Sequence, residues 1–221
     1  MSTDRCTMLG VGEATVQTVE HVMAALRAME IDNCIVDCDG PEAPLADGSA
    51  LPFAEAIRQA GISTLEAPRE VRKLSAPVAV EDENSLLVAL PADTLTISCI
   101  FVNDWAHPAL SDQFGQWEIT PDTFLTEIAA ARTIAFLHEV EALRRRGLAL
   151  GGSMDAAIVF GENEIVTPPR FADEPVRHKV LDLVGDLALV GHLRAHVVAI
   201  RPSHRMNNQL ARALAAVFNE I

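Results

Sequence analysis

Histidine and aspartate side chains recur at helical spacing near the end of the chain, where they could hold a metal ion. His178, Asp182 and Asp186 are spaced four residues apart, so at about 100° per residue they form one stripe of a helix. The opposite side of that helix collects its apolar residues, Val176, Val180, Leu183, Val184 and Leu187. Imidazole and carboxylate groups on successive turns can bind one zinc ion. An ordinary exposed helix shows the same pattern, so a metal site and a solvated helix face both remain open.

Two adjacent residues at the start of an earlier helix add a second imidazole and another carboxylate. Thr18 resembles an N-cap, which predicts a helix beginning near Val19 and places Glu20 and His21 in its first turn. A metal hydrolase needs an imidazole ligand and a carboxylate that can take a proton from water. The structural alternatives are an acid favoured by the helix dipole and a half-buried histidine.

A third candidate, His204, follows a predicted strand and opens the last predicted helix. Loops above a rigid sheet often carry functional groups. A surface histidine is the alternative interpretation, and the spacing of residues along the chain cannot bring the three sites together.

Strands and helices that would position these groups are mixed along the chain. Apolar periodicity predicts helices over residues 51–60, 121–131, 174–190 and 204–218, and strands over 34–38, 86–90, 95–101 and 197–200, with another around Ala79. Residues 66–70 are polar, contain a proline and predict a domain boundary. The mixture indicates an α+β fold with layers of sheet and helix.

The composition describes a folded, acidic protein. The chain has 221 residues, 49% of them hydrophobic, with 17 Lys and Arg against 31 Asp and Glu, for a net charge of -14. Such a charge argues against binding nucleic acid or an anionic membrane surface. The N-terminus has no signal pattern and no window is apolar enough to predict a transmembrane segment, so we expect a cytoplasmic protein.

The four cysteines show no metal or redox spacing. Cys34 and Cys38 lie four residues apart on one face of a predicted strand, and the chain contains no C-x-x-C pair. We therefore expect buried thiols rather than disulfides.

Several separate segments together resemble the family of UDP-3-O-acyl-N-acetylglucosamine deacetylases. The matching segments follow the family's order from about Thr7 onward. They are residues 18–21 with 24–26, 31–33, 44–53, 131–133, 146–148, 151–153, 176–179 with 181–182 and 185–187, 203–204, and 207–208.

That resemblance implies a zinc enzyme that removes acetate from a UDP-linked acylated aminosugar, the committed step of lipid A biosynthesis. It implies that zinc is held by His21, His178 and Asp182 with one coordination position left open. It also assigns roles to six other residues: Glu20 as general base, His204 as the protonated partner, Asp186 as the group that orients His204, Thr133 as a donor to the oxyanion, Lys179 as a substrate contact, and Phe136 in the passage for the acyl chain.

The resemblance further implies two sheet-and-helix domains, residues 1–67 and 68–221, with the active site at their junction. Family members begin with several strands before the first helix, whereas here only residues 1–16 precede its predicted start. We therefore expect a truncated first domain with an exposed face, which self-association could cover. The alternative function is a noncatalytic zinc-binding or partner-binding remnant of the family.

Overall fold

The computed structural model describes residues 6–140 and 154–219, and it begins with a small hairpin and two helices. Strands β1 (Leu9–Val11) and β2 (Ala14–Val16) pair antiparallel. Helices α1 (Glu20–Ala28) and α2 (Leu51–Ala60) follow. Helix α2 has the predicted bounds, and a proline in its first turn starts it without losing a backbone hydrogen bond.

The rest of the described chain builds one large sheet, one small sheet and two long helices. In chain order its elements are β3 (Val71–Lys73), β4 (Val78–Glu81), β5 (Leu86–Pro91), β6 (Leu95–Phe101), β7 (Gln113–Glu118), the short helix α3 (Pro121–Thr123) that continues as a π-helix over Phe124–Ile128, β8 (Ile134–Phe136), β9 (Ile158–Phe160), α4 (Glu174–Leu187), β10 (His192–Ile200) and α5 (His204–Asn219). The α+β prediction is confirmed.

Strand β10 runs through the middle of the large sheet. The strand order is β4-β5-β10-β6-β7, with β3 alongside the start of β10. Strand β10 is antiparallel to β5 and parallel to β6. Its buried residues alternate, as Leu193, Ala195, Val197 and Ala199 enter the core while their neighbours are only half-buried. The period of two means that one face of the sheet carries the core.

Helix α4 is enclosed by the sheet, by α1 and by α5. Its apolar residues lie in the core, and its His178, Asp182 and Asp186 are buried as well. Helix α1 comes so close that a Cβ atom on Gly185 would lie 2.1 Å from the backbone oxygen of Glu20. A glycine at this position therefore permits the close helix crossing that brings Glu20 beside the polar stripe.

The predicted strand over residues 34–38 is wrong. These residues form no ladder with any described part of the chain, and Ile35 is 87% exposed. Cys34 and Cys38 are exposed thiols rather than buried ones. A run of apolar residues indicates strand propensity, but a strand also needs a neighbour for its backbone hydrogen bonds.

Other predicted helix boundaries also differ from the structure, and α4, predicted to reach residue 190, ends at Leu187. Thr18 is not the N-cap of α1: its φ is +58°, its hydroxyl donates to Glu42 at 2.8 Å, and Val19 precedes the helix. The helix predicted over residues 121–131 ends at Ile128. Polar residues that favour caps can instead bond to a distant side chain, and sequence spacing does not distinguish the two.

Residues 66–70 are irregular and lead into β3, and the division into domains at this point stays a prediction. The matched segments at 146–148 and 151–153 lie outside the described residues. Within the described part of the chain, no helix is both long enough and apolar enough to span a bilayer.

Candidate active site

His21, His178 and Asp182 converge where α1 crosses α4. Asp182 Oδ1 lies 3.3 Å from His178 Nε2 and 3.9 Å from His21 Nε2. The two imidazole rings meet edge to face with their centroids 5.3 Å apart, and all three side chains are buried. The structure thus brings together the three residues that the sequence analysis assigned to a metal.

The atoms of this cluster fit a metal ion. Asp182 Oδ1 is buried without a hydrogen-bond partner among the described residues, and this is costly for a carboxylate oxygen unless a cation lies against it. Ligand atoms around a tetrahedral zinc are about 3.4 Å apart, given bonds of about 2.0–2.2 Å. The two measured distances bracket that spacing.

Hydrogen bonding sets the tautomer of one candidate ligand. His178 Nδ1 lies 3.0 Å from the backbone oxygen of Ala131. A carbonyl can only accept, so Nδ1 carries the proton and Nε2 keeps its lone pair toward Asp182. Backbone carbonyls commonly orient metal-binding histidines in this way.

The charges in the cluster are those that a metal ion requires. Burial and the neighbouring His178 lower the pKa of His21 to about 4, and burial lowers the pKa of His178. Burial opposes the ionisation of Asp182, but His178 and Lys179 outweigh it and hold the pKa of that carboxyl below its usual range. Neutral imidazoles and an ionised carboxylate are the forms that bind metal.

A carboxylate and a histidine flank the cluster on one side. Burial raises the pKa of Glu20 to about 7, although His204 opposes the shift. Burial disfavours the protonated form of His204, but the carboxylates of Asp182, Asp186 and Glu20 outweigh it and raise the pKa of His204 to about 9. The His204 Nε2 atom lies 3.8 Å from Glu20 Oε1. At neutral pH this arrangement offers one group that can take a proton and one that can give it.

Asp186 lies behind His204 and holds its ring. His204 Nδ1 donates to Asp186 Oδ2 at 2.9 Å, and Asn207 Nδ2 donates to the same oxygen at 2.8 Å. Asp186 is fully buried. The side chain therefore fixes the direction of the His204 Nε2 atom, which faces the cleft.

A cleft of about 750 Å³ opens over the cluster. Of the nine residues predicted for the site, it is lined by eight: Glu20, His21, Thr133, Phe136, His178, Lys179, Asp182 and His204. The remaining one, Asp186, supports His204 from below the surface. Lys179 Nζ donates to Asp182 Oδ2 at 2.9 Å. The roles of Thr133, Lys179 and Phe136 toward a substrate stay predictions.

Aromatic side chains form one wall of the cleft around Phe136. Its ring centroid lies 5.1 Å from that of Trp105 and 5.9 Å from that of Phe160. A second cleft of about 750 Å³ shares Trp105 and Phe136 with the first. Trp105 and Phe136 therefore give the two clefts a shared aromatic border, whereas Phe160, which is only 1% exposed, packs against Phe136 without lining either cleft.

Sequence reasoning missed two groups that support the site. Thr7 donates to both Glu20 and Asp186, and no spacing rule connects it to residues so distant in the chain. Arg132 and Glu174 form a buried ion pair, with Arg132 Nε 2.8 Å from Glu174 Oε1. Arg132 lies beside Ala131, the hydrogen-bond acceptor of His178. The available signals were the place of Arg132 in the matched segment 131–133 and the spacing of Glu174 four residues before His178.

Comparison with known proteins finds consistent matches. A family model described as UDP-3-O-acyl N-acetylglycosamine deacetylase matches residues 1–216. The UDP-3-O-acyl-N-acetylglucosamine deacetylase of Citrifermentans bemidjiense is 45% identical over 217 residues, which is 97% of this chain and 70% of that protein. The proteins of the same name from a Nostoc species and from Thermosynechococcus vestitus are 42% and 44% identical, over 96% and 97% of this chain and 78% and 74% of their own lengths.

Proposed function

The chain belongs to the UDP-3-O-acyl-N-acetylglucosamine deacetylase family, and on that premise we propose that it is a zinc-dependent amide hydrolase. Its substrate is UDP-3-O-acyl-N-acetylglucosamine, from which it removes acetate in the committed step of lipid A biosynthesis. The observation that carries the proposal is the buried group of His21, His178 and Asp182, with Glu20 and His204 beside it.

In this proposal, His21, His178 and Asp182 hold the zinc ion. Zinc in such a site acts as a Lewis acid that activates water and polarises a carbonyl oxygen. The two imidazoles and one carboxylate are a donor set that catalytic zinc sites use. The orphaned Asp182 Oδ1 atom supports this assignment.

Glu20 and His204 divide the proton transfers between them. The Glu20 carboxylate accepts a proton from the attacking water, and its pKa of about 7 leaves a large ionised fraction at neutral pH. The new carbon–oxygen bond forms as the acetamide carbonyl becomes tetrahedral. His204, held protonated by nearby carboxylates, then donates from Nε2 to the nitrogen as the carbon–nitrogen bond breaks. The products are acetate and a free amine.

Three residues of the cleft contact the rest of the substrate in this scheme. Thr133 donates to the oxygen on which negative charge develops. Lys179, whose ammonium already bonds to Asp182, contacts the sugar near the metal. Phe136 and Trp105 line the path of the acyl chain, because burying each methylene group contributes about 0.8 kcal/mol.

The test is acetate release from UDP-3-O-acyl-N-acetylglucosamine by the purified chain, compared with its Glu20→Gln variant. We expect turnover by the unchanged protein and a loss of about 100- to 10,000-fold in the variant, the usual contribution of acid–base catalysis. Glu13→Gln is a matched control, since Glu13 is exposed in the hairpin, and it should keep full activity. Absence of turnover from a folded, zinc-loaded chain would support the noncatalytic remnant instead.

A further inference from the structure

Thr7 is a buried residue that touches both carboxylates behind the proposed acid–base pair. Its backbone N–H donates to Glu20 Oε2 at 3.0 Å. Its hydroxyl donates to Asp186 Oδ1 at 2.5 Å, and only 2% of the residue is exposed. Thr7 therefore links the carboxylate of Glu20 in α1 to the carboxylate of Asp186 in α4.

The hydrogen bonds of the Thr7 hydroxyl have a defined direction. The Asn208 amide can only donate from Nδ2, and that atom lies 2.9 Å from Thr7 Oγ1. Thr7 thus accepts from α5 and donates its single hydroxyl proton to the Asp186 carboxylate. The backbone oxygen of Thr7 also accepts from the N–H of Val19 at 3.3 Å, which ties the residue to the start of α1.

The contact at Asp186 bears on the orientation of His204. A carboxylate is planar, so holding Oδ1 fixes where Oδ2 lies. Oδ2 is the atom that accepts from His204 Nδ1. Without the Thr7 hydroxyl, Asp186 would be held only at Oδ2, by His204 and Asn207, so its carboxylate plane would be less restrained, and a small misplacement of a catalytic group is costly to rate.

We propose that Thr7 is a positioning residue that holds the Asp186–His204 pair and Glu20 in fixed relation across α1, α4 and α5. The proposal rests on the proposed function, because Glu20 and His204 are its base and acid. It adds a residue of the N-terminal segment to the machinery. Thr7 acts on the rate only through the groups that it holds.

The test uses Thr7→Val, which removes the hydroxyl at almost constant volume and leaves the backbone N–H in place. We expect kcat to fall by about 10- to 100-fold, the loss typical of removing a group that supports an active-site side chain. KM and bound zinc should change by less than about twofold, since the ligands keep their own contacts. Thr7→Ser restores the hydroxyl and should return most of the lost kcat.

Two controls separate positioning from a general structural effect. Thr15→Val makes the same chemical change at an exposed position of β2 and should leave kcat unchanged. When Asp186→Asn is already present, adding Thr7→Val should lower kcat by less than about threefold. The effects of two substitutions that act through the same group are not additive. If Thr7→Val does not fold, Thr7→Ala removes the hydroxyl without adding a methyl group and serves in its place.

The outcomes are distinguishable. Full kcat in Thr7→Val with an active unchanged protein would overturn the Thr7 assignment and leave the proposed function intact. Failure of Thr7→Ser to rescue, or an equally large loss in the Asp186→Asn background, would also overturn it. An inactive unchanged protein would overturn the proposed function, and the Thr7 assignment with it.

Discussion

At the scale of single residues, burial and charge give neighbouring groups different protonation states. Burial keeps the imidazole of His21 neutral by lowering its pKa to about 4. His204 is also buried, but three carboxylates around it raise its pKa to about 9. Of two histidines within one cleft, one is thus neutral, as the proposed metal ligand must be, and the other is protonated, as the proposed acid must be.

Removing one ligand should remove the metal. Asp182→Asn keeps the size of the side chain but loses its negative charge, so we expect zinc affinity to fall by more than about 100-fold, since even an outer partner contributes about 10- to 100-fold. Competition with a chelator measures the affinity. Asp37→Asn, at an exposed position, is the control. Unchanged affinity in Asp182→Asn would show that the metal is held elsewhere.

The buried Arg132–Glu174 pair predicts a dependence of stability on pH. Burial disfavours ionised Glu174, but hydrogen bonds from the Arg132 side chain and backbone outweigh it and hold the pKa of Glu174 below its usual value of 4.5. The pair's contribution to stability is therefore present above about pH 4.5 and is lost as the pH falls through the folded-state pKa.

Glu174→Gln leaves the Arg132 charge buried without its partner. We expect the free energy of unfolding at neutral pH to fall by about 3–5 kcal/mol, and the difference from the unchanged protein to shrink in acid. Urea unfolding at several pH values measures this, with Glu55→Gln on an exposed position of α2 as control. An equal difference at all pH values would contradict the account.

At the scale of elements, the site depends on how closely α1 crosses α4. Gly185 lies at the crossing, where a Cβ atom would also come within 3.1 Å of the Cα atom of Glu20. A backbone contact of this kind cannot be relieved by a side-chain rotation. The position of the proposed base is therefore set by the absence of a side chain on the facing helix.

Gly185→Ala should push α1 away from α4. We expect a loss of about 1–3 kcal/mol in the free energy of unfolding, together with a lower kcat because Glu20 moves. Thermal or urea unfolding and acetate release measure the two effects. Gly40→Ala is the matched control, since a Cβ atom there would meet nothing within 4 Å. Unchanged stability and activity in Gly185→Ala would refute the close-crossing argument.

Sequence periodicity predicted the elements that bury an apolar face. It failed for a segment whose structure depends on pairing with a neighbouring strand. Helix α4 was predicted with its polar stripe, and the large sheet was predicted in most of its strands. Residues 34–38 have the composition of a strand, yet they lack a neighbouring strand within the described chain. Local patterns report propensity, whereas a ladder requires a second segment.

At the scale of the whole molecule, the candidate site combines parts that no local pattern relates. Resemblance supplied the ligand set, and the fold brings His21 beside His178 and Asp182 although α1 and α4 are far apart in the chain. Thr7 is 179 residues from Asp186, so no spacing rule could identify it. Such contacts depend on the folded core between them.

The acidic charge of the whole chain has little bearing on this site. The net charge of -14 belongs to the chain as a whole, whereas the pKa shifts of His21 and His204 come from burial and from a few neighbouring groups. The chain spans 70% of the length of the Citrifermentans bemidjiense relative. Its described residues nevertheless hold all nine of the predicted site residues.

The decisive experiment is titration of the metal-free chain with zinc while acetate release is measured. We expect no turnover without metal, and a rise in turnover that reaches its maximum at about one zinc per chain, as for a site with three protein ligands. Full turnover by the metal-free chain would contradict the account. So would a folded chain that binds one zinc at His21, His178 and Asp182 yet releases no acetate.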